Sequence, residues 1–264
     1  MKHFYLTAAA AAAFIGLSQS GCVTSSGNRP EIVASYTRQP VALDGKLDEA
    51  AWQKTPAYFL VHAREQYTSF HPEIRKKFRN GVIEPGKVRL LWDDKYLYIG
   101  FEFEDLDIVA EGTQDQNRHY RMGDVAEVFL KPQNKTWYWE SYATPRGHKT
   151  VFFFLGRGLL GLPSGFPEKP ALDGMKVAAF CYGTLNNSQD KDKKWTAEMA
   201  IPREEIAKIG EKLDPETPWL IFFGRYNYGI YLPWKENSSF PQQENGDYHI
   251  HEDYGMLKMK KTQD

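Results

Sequence analysis

Short segments in which apolar and polar residues alternate constrain the fold of this chain more than any other feature. In the segment 96–104 every second residue is apolar: Leu97, Ile99, Phe101 and Phe103. Such alternation, rich in aromatic and β-branched side chains, is typical of a strand with one buried face. The apolar run 88–92 precedes it, and the turn residues Asp93-Asp94-Lys95 lie between the two. This order predicts a β-hairpin.

Similar strand patterns continue along the rest of the sequence. They cover Asp124–Lys131, Thr136–Thr144, His148–Leu155, Lys176–Tyr182, Lys194–Ile201, Trp219–Tyr228 and Gly255–Lys260. The segment from Pro202 to Ile209 predicts one short helix, because proline suits the first helical turn and acidic residues follow it. Many strands without a recurring strand–helix–strand pattern indicate an all-β protein. The sequence predicts an antiparallel β-sandwich of the two-sheet, jelly-roll or immunoglobulin-like kind, with one short helix.

The composition excludes several classes of protein. Lys and Arg total 33 against 34 Asp and Glu, so the formal net charge is −1. A nucleic-acid-binding protein would show a basic excess, and we expect no nucleic-acid partner. An apolar fraction of 42% and a charged fraction of 25% exclude a disordered chain. Two cysteines provide neither a disulfide framework nor a cysteine-based zinc site, and Cys181, in an apolar stretch, is predicted to be a buried thiol.

The first 21 residues predict a signal peptide. A charged start precedes an apolar run over residues 4–17, which is too short for a stable membrane span, and small residues then lead to Cys22. This ending is similar to a bacterial lipoprotein signal, in which the cysteine is lipidated; ordinary cleavage nearby is the alternative. We expect a membrane tether through Cys22, a polar linker over 22–32 and a folded domain over 33–264. The protein is then exported, as a periplasmic or outer-surface lipoprotein of the cell envelope or outside the cell.

Five motifs occur in a characteristic order along the chain. They are PVALDGKLDEAAW (40–52), VRLLWDDKYLYIGFEFED (88–105), DVAEVFL (124–130), WTAEMAIP (195–202) and YGML (254–257). The ordered set resembles the family 9 carbohydrate-binding module over about Val33 to Met259. The resemblance implies a DOMON-like β-sandwich, related to other secreted sandwiches that bind sugar or haem. It also implies a protein that binds oligosaccharide or polysaccharide without performing chemistry, in support of polysaccharide utilisation.

The resemblance also assigns site residues. In modules of this kind two aromatic side chains clasp a sugar, polar groups bind its hydroxyls, and calcium ions stabilise loops. Matching the motifs places the acidic contact at Glu127, the second aromatic clamp at Tyr248 and an amide contact at Asn245. Arg121 stands where sugar-clasping members have tryptophan, and Trp139 stands where they can have arginine.

The residues around these positions suggest further ligand contacts, among them Tyr120 and Asp124. Aromatic rings bury the apolar face of a sugar, whereas carboxylates, amides and arginine bind its hydroxyls. Alternation within 137–142 places Trp137, Trp139 and Ser141 on one face of a strand and Tyr138, Glu140 and Tyr142 on the other. One of the two sets must pack inward. For any single aromatic residue, core packing is the stronger alternative.

Loop acids are the candidate calcium ligands that the sequence offers. We predict Asp105, Asp107 and Asp115, because calcium takes oxygen ligands from loop carboxylates, amides and carbonyls. The spacing of an EF-hand is absent from the sequence, and solvated loop acids are the alternative. We expect no catalytic cofactor and a monomer.

Other functions stay open at this point. Asp124 and Glu127 could serve as acid and base in glycoside cleavage, but residues three apart on a strand point to opposite faces. A haem-binding electron-transfer sandwich would use Met122 with His249 or His251 as iron ligands. A scaffold within an envelope assembly is a third alternative. Binding of carbohydrate without enzymatic activity is the function that the sequence favours.

Overall fold

The computed structural model describes residues 29–69, 81–157, 159–160 and 172–261 of the 264-residue chain. The predicted signal peptide and Cys22 lie outside these residues. The predicted linker is described only from residue 29, and its last two residues already belong to a strand. No helix among the described residues has the length and hydrophobicity needed to span a membrane.

Thirteen strands in the described part of the chain form one hydrogen-bonded sheet. They are β1 (Glu31–Tyr36), β2 (Tyr58–Phe59), β3 (Gly86–Trp92), β4 (Tyr96–Glu104), β5 (Val125–Pro132), β6 (Tyr138–Ala143), β7 (Lys149–Gly156), β8 (Leu159–Leu160), β9 (Lys176–Tyr182), β10 (Lys194–Pro202), β11 (Trp219–Asn227), β12 (Glu236–Phe240) and β13 (Gly255–Lys260). The helices are α1 (Ala50–Lys54), α2 (Arg64–Ser69) and α3 (Arg203–Ala207), with short 3-10 turns at His119–Arg121 and His251–Asp253.

The sheet folds over itself into two facing layers. Its strand order is β8-β7-β6-β5-β11-β13-β1-β3-β4-β10-β9, with β12 beside β11 and β2 beside β3. We call β8, β7, β6, β5, β11 and β13, with β12, the first layer. The second layer consists of β1, β3, β4, β10 and β9, with β2. Side chains of both layers meet in one core, where the Phe101 ring of β4 lies edge-on to Phe223 of β11 with 6.4 Å between ring centroids. The predicted all-β sandwich is therefore confirmed.

The alternating segments match the strands closely. Segments 176–182 and 255–260 are strands over their predicted lengths, and the hairpin of β3 and β4 forms as predicted. Helix α3 occupies Arg203–Ala207, and Pro202 precedes it as the N-cap. The sequence predicted only this helix, and the structure contains two further short helices, α1 and α2.

The pairing of β1 differs from the predicted antiparallel arrangement. β1 runs parallel to both β13 and β3, so that Glu31 lies opposite Met256 and Tyr36 lies opposite Trp92. Parallel neighbours need long connections rather than tight turns. The 49 residues between β1 and β3 provide one, and β13 is the last strand of the described chain. A pattern of alternation reports which face of a strand is buried, but not the direction of its neighbours.

Several tryptophans are almost completely buried, among them Trp52, Trp92, Trp195 and Trp219. Of these four, three belong to the core between the layers, and Trp52, which α1 carries, packs on the outer face of the second layer. A separate aromatic cluster covers the outer face of the first layer. The sandwich thus has one inner core and two outer faces that differ in their side chains.

Candidate functional site

The outer face of the first layer gathers aromatic and acidic side chains that belong to four neighbouring strands. On β5, Ala126 and Val128 enter the inner core, so Glu127 between them points outward. On β6 the predicted alternation is confirmed, because Trp139 packs in the inner core while Tyr138 and Tyr142 belong to the outer cluster. Glu127 lies opposite Tyr142 in the pairing of the two strands. The strand period therefore brings residues far apart in the sequence to one surface.

Two carboxyl groups lie beneath this surface. Glu127 is 1% exposed, and Glu140, on the same face of β6, is also buried. The Tyr142 hydroxyl donates a hydrogen bond to Glu140 Oε1. Glu127 Oε1 is buried and has no hydrogen-bond partner within the described residues. Burial, together with the neighbouring Glu140 carboxylate, raises the pKa of Glu127 well above its ordinary value.

His249 extends this polar group toward solvent. Its Nδ1 lies 2.7 Å from the Tyr138 hydroxyl, and its Nε2 lies 4.0 Å from Glu140 Oε2. The ring also stands edge-on to Phe129, with 5.5 Å between ring centroids. Burial lowers the pKa of His249, which favours the neutral imidazole. The polar atoms of this group are thus embedded in an aromatic surround.

Half-exposed tyrosines form the rim of the surface beside Glu127. The Tyr120 ring lies 6.2 Å from Tyr226 and 6.4 Å from Tyr142, measured between ring centroids. The Lys235 ammonium lies 4.3 Å above the Tyr226 ring, within the range of a cation–π contact. The Arg121 guanidinium covers the Tyr120 ring at 5.3 Å. The rim therefore presents flat rings, each partly covered by an exposed cationic side chain.

Tyr248 forms one wall of the site rather than a free clamp. Its ring rests on Gly224, where an added Cβ would lie 2.5 Å from a ring carbon, so glycine is needed for this approach. Glu127 of β5 lies opposite the same glycine. Tyr248 is 6% exposed, and its hydroxyl lies 3.1 Å from the Arg225 carbonyl oxygen and 3.0 Å from that of Ser238. These contacts use its donor within the protein.

Asn245 shares a pocket with Tyr248 that Glu127 does not line. Both Asn245 and Tyr248 line an open pocket with Ala63, Glu65, Gln66, Asn237, Ser238, Ser239, Gln243 and Gly246. Asn245 is exposed and accepts a hydrogen bond from the Asp247 amide. The structure thus places Glu127 next to Tyr248, across Gly224, and Tyr248 in one pocket with Asn245.

Two of the predicted ligand contacts, Trp139 and Asp124, are buried and contact other parts of the protein. Trp139 is 0% exposed and packs in the inner core against Phe153 and Trp219, so it is a core residue and does not reach the surface. Asp124 is buried and accepts hydrogen bonds from the Val109 and Tyr228 amides, at 2.7 Å each. It positions the chain segment that carries Tyr228 and Lys235. As the three-residue spacing predicts, Asp124 does not converge with Glu127.

The predicted calcium ligands bind other protein groups. Asp105 Oδ2 lies 3.1 Å from the buried Arg225 guanidinium, and Asp107 Oδ2 accepts a hydrogen bond from the Ile230 amide. Asp115 Oδ1 accepts one from the Lys149 amide at the start of β7. Within the described ranges no three histidine, cysteine, aspartate or glutamate side chains gather as a metal would require. These residues as placed do not fit a shared calcium site, and bound calcium stays a prediction.

The residues proposed for haem lie apart. Met122 follows the turn at His119–Arg121 before β5 begins, whereas His249 contacts Phe129 near the other end of that strand. His251 stands edge-on to Tyr138, with 4.5 Å between ring centroids. The methionine and the histidines therefore do not face one another across a common space.

Comparisons with known proteins agree with this architecture. Residues 43–154 match the sequence model of the carbohydrate family 9 binding domain-like family. The predicted resemblance is confirmed. The family 9-like segment contains β3 to β6 and most of β7, and with them Tyr120, Glu127 and Glu140. A search of curated protein sequences found no significant match.

Solved structures extend the similarity over most of the chain. A protein of Bacteroides uniformis, named as a candidate carbohydrate-binding protein, aligns with a TM-score of 0.63 at 12% identity, covering 88% of this chain and all of its own. A family 9 carbohydrate-binding module of Caldicellulosiruptor kristjanssonii in complex with cellotriose aligns with a TM-score of 0.55 at 15% identity, covering 89% and 95%. A family 9 module of the same organism in complex with glucose aligns with a TM-score of 0.55 at 14% identity, covering 89% and 97%. At these identities the likeness establishes a shared fold.

The structure adds site residues that the sequence did not single out. Tyr226 follows Phe222 and Gly224 at alternate positions of β11, a signal that places it on the outer face. Glu140 and Tyr142 were assigned to one face of β6, but their meeting with Glu127 depends on the strand pairing. Lys235 lies in the segment between β11 and β12 and carries no local signal of its position.

Proposed function

We propose that the chain binds oligosaccharide or polysaccharide at the outer face of the first layer and makes no covalent change to it. One observation carries this proposal: half-exposed tyrosine rings flank a buried carboxyl oxygen that has no partner within the described residues. Aromatic faces suit the C–H surface of a sugar ring, and an unpartnered polar atom suits a hydroxyl at its edge. The family 9-like match supports the same class of ligand.

Access to Glu127 requires movement of a side chain at the rim. The Lys235 ammonium occupies the face of Tyr226 that a sugar ring would cover. An exposed cation–π contact contributes about 0.5–1 kcal/mol, so a sugar that stacks on the ring displaces it at small cost. The loop itself stays in place, because Asp124 and Asp107 bind the Tyr228 and Ile230 amides.

The arrangement of the carboxyl groups favours binding over cleavage. Glycoside hydrolysis needs two carboxyl groups on either side of a scissile bond. Glu127 and Glu140 instead lie side by side on one surface next to Tyr142, and Asp124 gives both oxygens to backbone amides. We therefore expect no release of reducing sugar from any polysaccharide that the protein binds.

Calorimetric titration tests the proposal directly. Glucose and cellotriose are the first probes, because similar family 9 modules are solved with them. A panel of plant and algal polysaccharides follows. Saturable binding to at least one glycan supports the proposal, and the absence of binding to all of them contradicts it.

Export and lipidation at Cys22 form part of the same proposal and rest on the sequence pattern alone. A lipidated protein at the cell envelope would hold polysaccharide near partner enzymes. Labelled palmitate should be incorporated into the full chain in a bacterial host and should not be incorporated into the Cys22→Ser variant. Equal labelling of the two chains would contradict this assignment.

A further inference from the structure

The two carboxyl groups of the site differ in their hydrogen bonds. Glu140 Oε1 accepts a hydrogen bond from the Tyr142 hydroxyl, and His249 Nε2 lies 4.0 Å from Glu140 Oε2. Glu127 Oε1 is buried without a partner within the described residues. A hydroxyl has a single proton to donate, so Tyr142 can stabilise one ionised carboxylate of the pair. The contact assigns that role to Glu140.

Ionisation is therefore less favourable for Glu127 than for Glu140. A buried carboxylate oxygen without a donor disfavours the ionised form, and Glu127 Oε1 is such an oxygen within the described residues. A second carboxylate nearby adds repulsion. Burial raises the pKa of Glu140 to about 7, opposed by Tyr142. Burial and the Glu140 carboxylate raise the pKa of Glu127 well above its ordinary value, opposed by Lys235 and Tyr142. Together, the unpartnered Glu127 Oε1 and the Tyr142 hydrogen bond to Glu140 place the shared proton on Glu127.

We propose that Glu127 meets the ligand as a neutral carboxylic acid that donates a hydrogen bond to a sugar oxygen, and that Glu140 and Tyr142 are positioning residues that keep the proton there. This inference rests on the proposed function, since it concerns the same site. Glu127 is then a hydrogen-bond donor to the ligand. The ligand atom that it binds is therefore an acceptor, such as a hydroxyl or ring oxygen.

Other groups that face Glu127 modify this assignment but do not reverse it. Lys235 attracts the ionised form and lowers the pKa of Glu127, but its side chain is exposed, where solvent and salt screen its charge. The neighbouring imidazole, His249, has a lowered pKa and is neutral near pH 7. Phenols complete the surroundings: Tyr120, Tyr142, Tyr226, Tyr228 and Tyr248.

The test is a titration with cellotriose, or with the tightest glycan of the panel, from pH 5 to pH 9. We compare the wild-type chain with Glu127→Gln, because glutamine also donates a hydrogen bond and cannot ionise. Wild-type affinity should be constant at low pH and fall about tenfold or more as the pair ionises, which is a change of 1.4 kcal/mol. Glu127→Gln should stay within about threefold of wild type at pH 5 and show no such fall.

An acceptor role predicts the opposite pattern. Wild-type affinity would then rise with pH, and Glu127→Gln would lose about tenfold or more at every pH. Either result overturns the donor role while the proposed function stands. If the wild-type chain binds no glycan, the proposed function and the donor role are both contradicted. As a readout that needs no sugar, carbon NMR of the Glu127 carboxyl should show the protonated form at pH 7, and the ionised form would overturn the proposal.

Glu140→Gln tests the positioning role. With the neighbouring anion removed, Glu127 ionises more readily, so the fall in affinity should move to lower pH; an unmoved profile contradicts the role. Glu198→Gln is the matched control, because Glu198 is a buried carboxyl on the outer face of the second layer. That substitution should leave the pH profile of binding unchanged.

Discussion

Glu127 and Glu198 occupy similar places in the two layers, but their hydrogen bonds differ. Each lies on an interior strand, points to an outer face and is buried under a covering segment. Glu198 accepts hydrogen bonds from the Asp44 amide at 3.0 Å, the Gly45 amide at 2.8 Å and Trp52 Nε1 at 3.1 Å. Glu127 Oε1 has none within the described residues. The first carboxylate fixes a loop to the sheet, and the second is the one that we propose binds the ligand.

Hydrogen-bond partners distinguish the structural carboxylate of Glu198 from the proposed ligand-binding carboxyl of Glu127. Burial raises the pKa of both groups, to about 7 for Glu198, so the direction of the pKa change does not distinguish them. The loop over Glu198 also fits tightly, because Gly45 has φ +81° and an added Cβ would lie 2.4 Å from the Ala179 backbone. Over Glu127 the rim consists of half-exposed rings and exposed cations.

Removing Glu198 should have the largest effect on stability. Glu198→Ala leaves two buried donors, the Gly45 amide and Trp52 Nε1, and the half-buried Asp44 amide without an acceptor. Each buried donor left unpaired costs about 1–3 kcal/mol. We expect the free energy of unfolding in urea to fall by about 3 kcal/mol or more, and affinity for sugar per folded molecule to be unchanged. Glu127→Ala should cost much less stability. Equal losses of stability in Glu198→Ala and Glu127→Ala would contradict the proposed difference between the two carboxyl groups.

Tyr226→Ala should weaken sugar binding by roughly 1–3 kcal/mol, because it removes an aromatic surface beside Glu127. Calorimetric titration measures the change. The matched control is Tyr182→Ala, a half-buried tyrosine on β9 of the second layer, which should leave affinity unchanged. Similar affinity for both variants would show that the ligand binds elsewhere.

Tyr248→Phe tests whether the Tyr248 hydroxyl only stabilises the fold or also binds the sugar. It removes the hydroxyl that donates to a backbone carbonyl and keeps the ring on Gly224. Stability should fall by about 1 kcal/mol, as for one lost hydrogen bond, while affinity stays within about twofold of wild type. A loss of affinity without a loss of stability would mean that the hydroxyl binds the sugar.

The smallest expected effect is on the pH dependence of stability. Folded Glu198 has a pKa near 7, above its ordinary value of 4.5, so the folded chain keeps a proton that the unfolded chain releases between these values. Its contribution is complete below pH 4.5 and is lost as the pH rises through 7. Replacing it with glutamine should reduce the loss of stability between pH 5 and 8 by on the order of 1 kcal/mol. Urea unfolding across this range measures it, and an unchanged slope would contradict the assignment.

Much of the strand layout follows from the sequence because alternation is a local property. The two faces of β6 were assigned from residues 137–142 alone, and Glu127 was found because a short motif places it. The parallel pairing of β1 depends on how the ends of the chain meet, which no local pattern records. The meeting of Glu127 with Tyr226 and Lys235 depends on strand register and a loop, so it required the structure.

The position of β1 has a mechanical consequence. The chain enters the sheet at Glu31, and Arg29 just before it binds the backbone oxygens of His251, Glu252 and Tyr254. Tension applied through the N-terminal segment would pull β1 along its own length. Its ladders to β13 and β3 would then be loaded in shear, with all their hydrogen bonds resisting together rather than opening one after another. An anchored molecule holding a polymer would bear that load along the junction between its two layers.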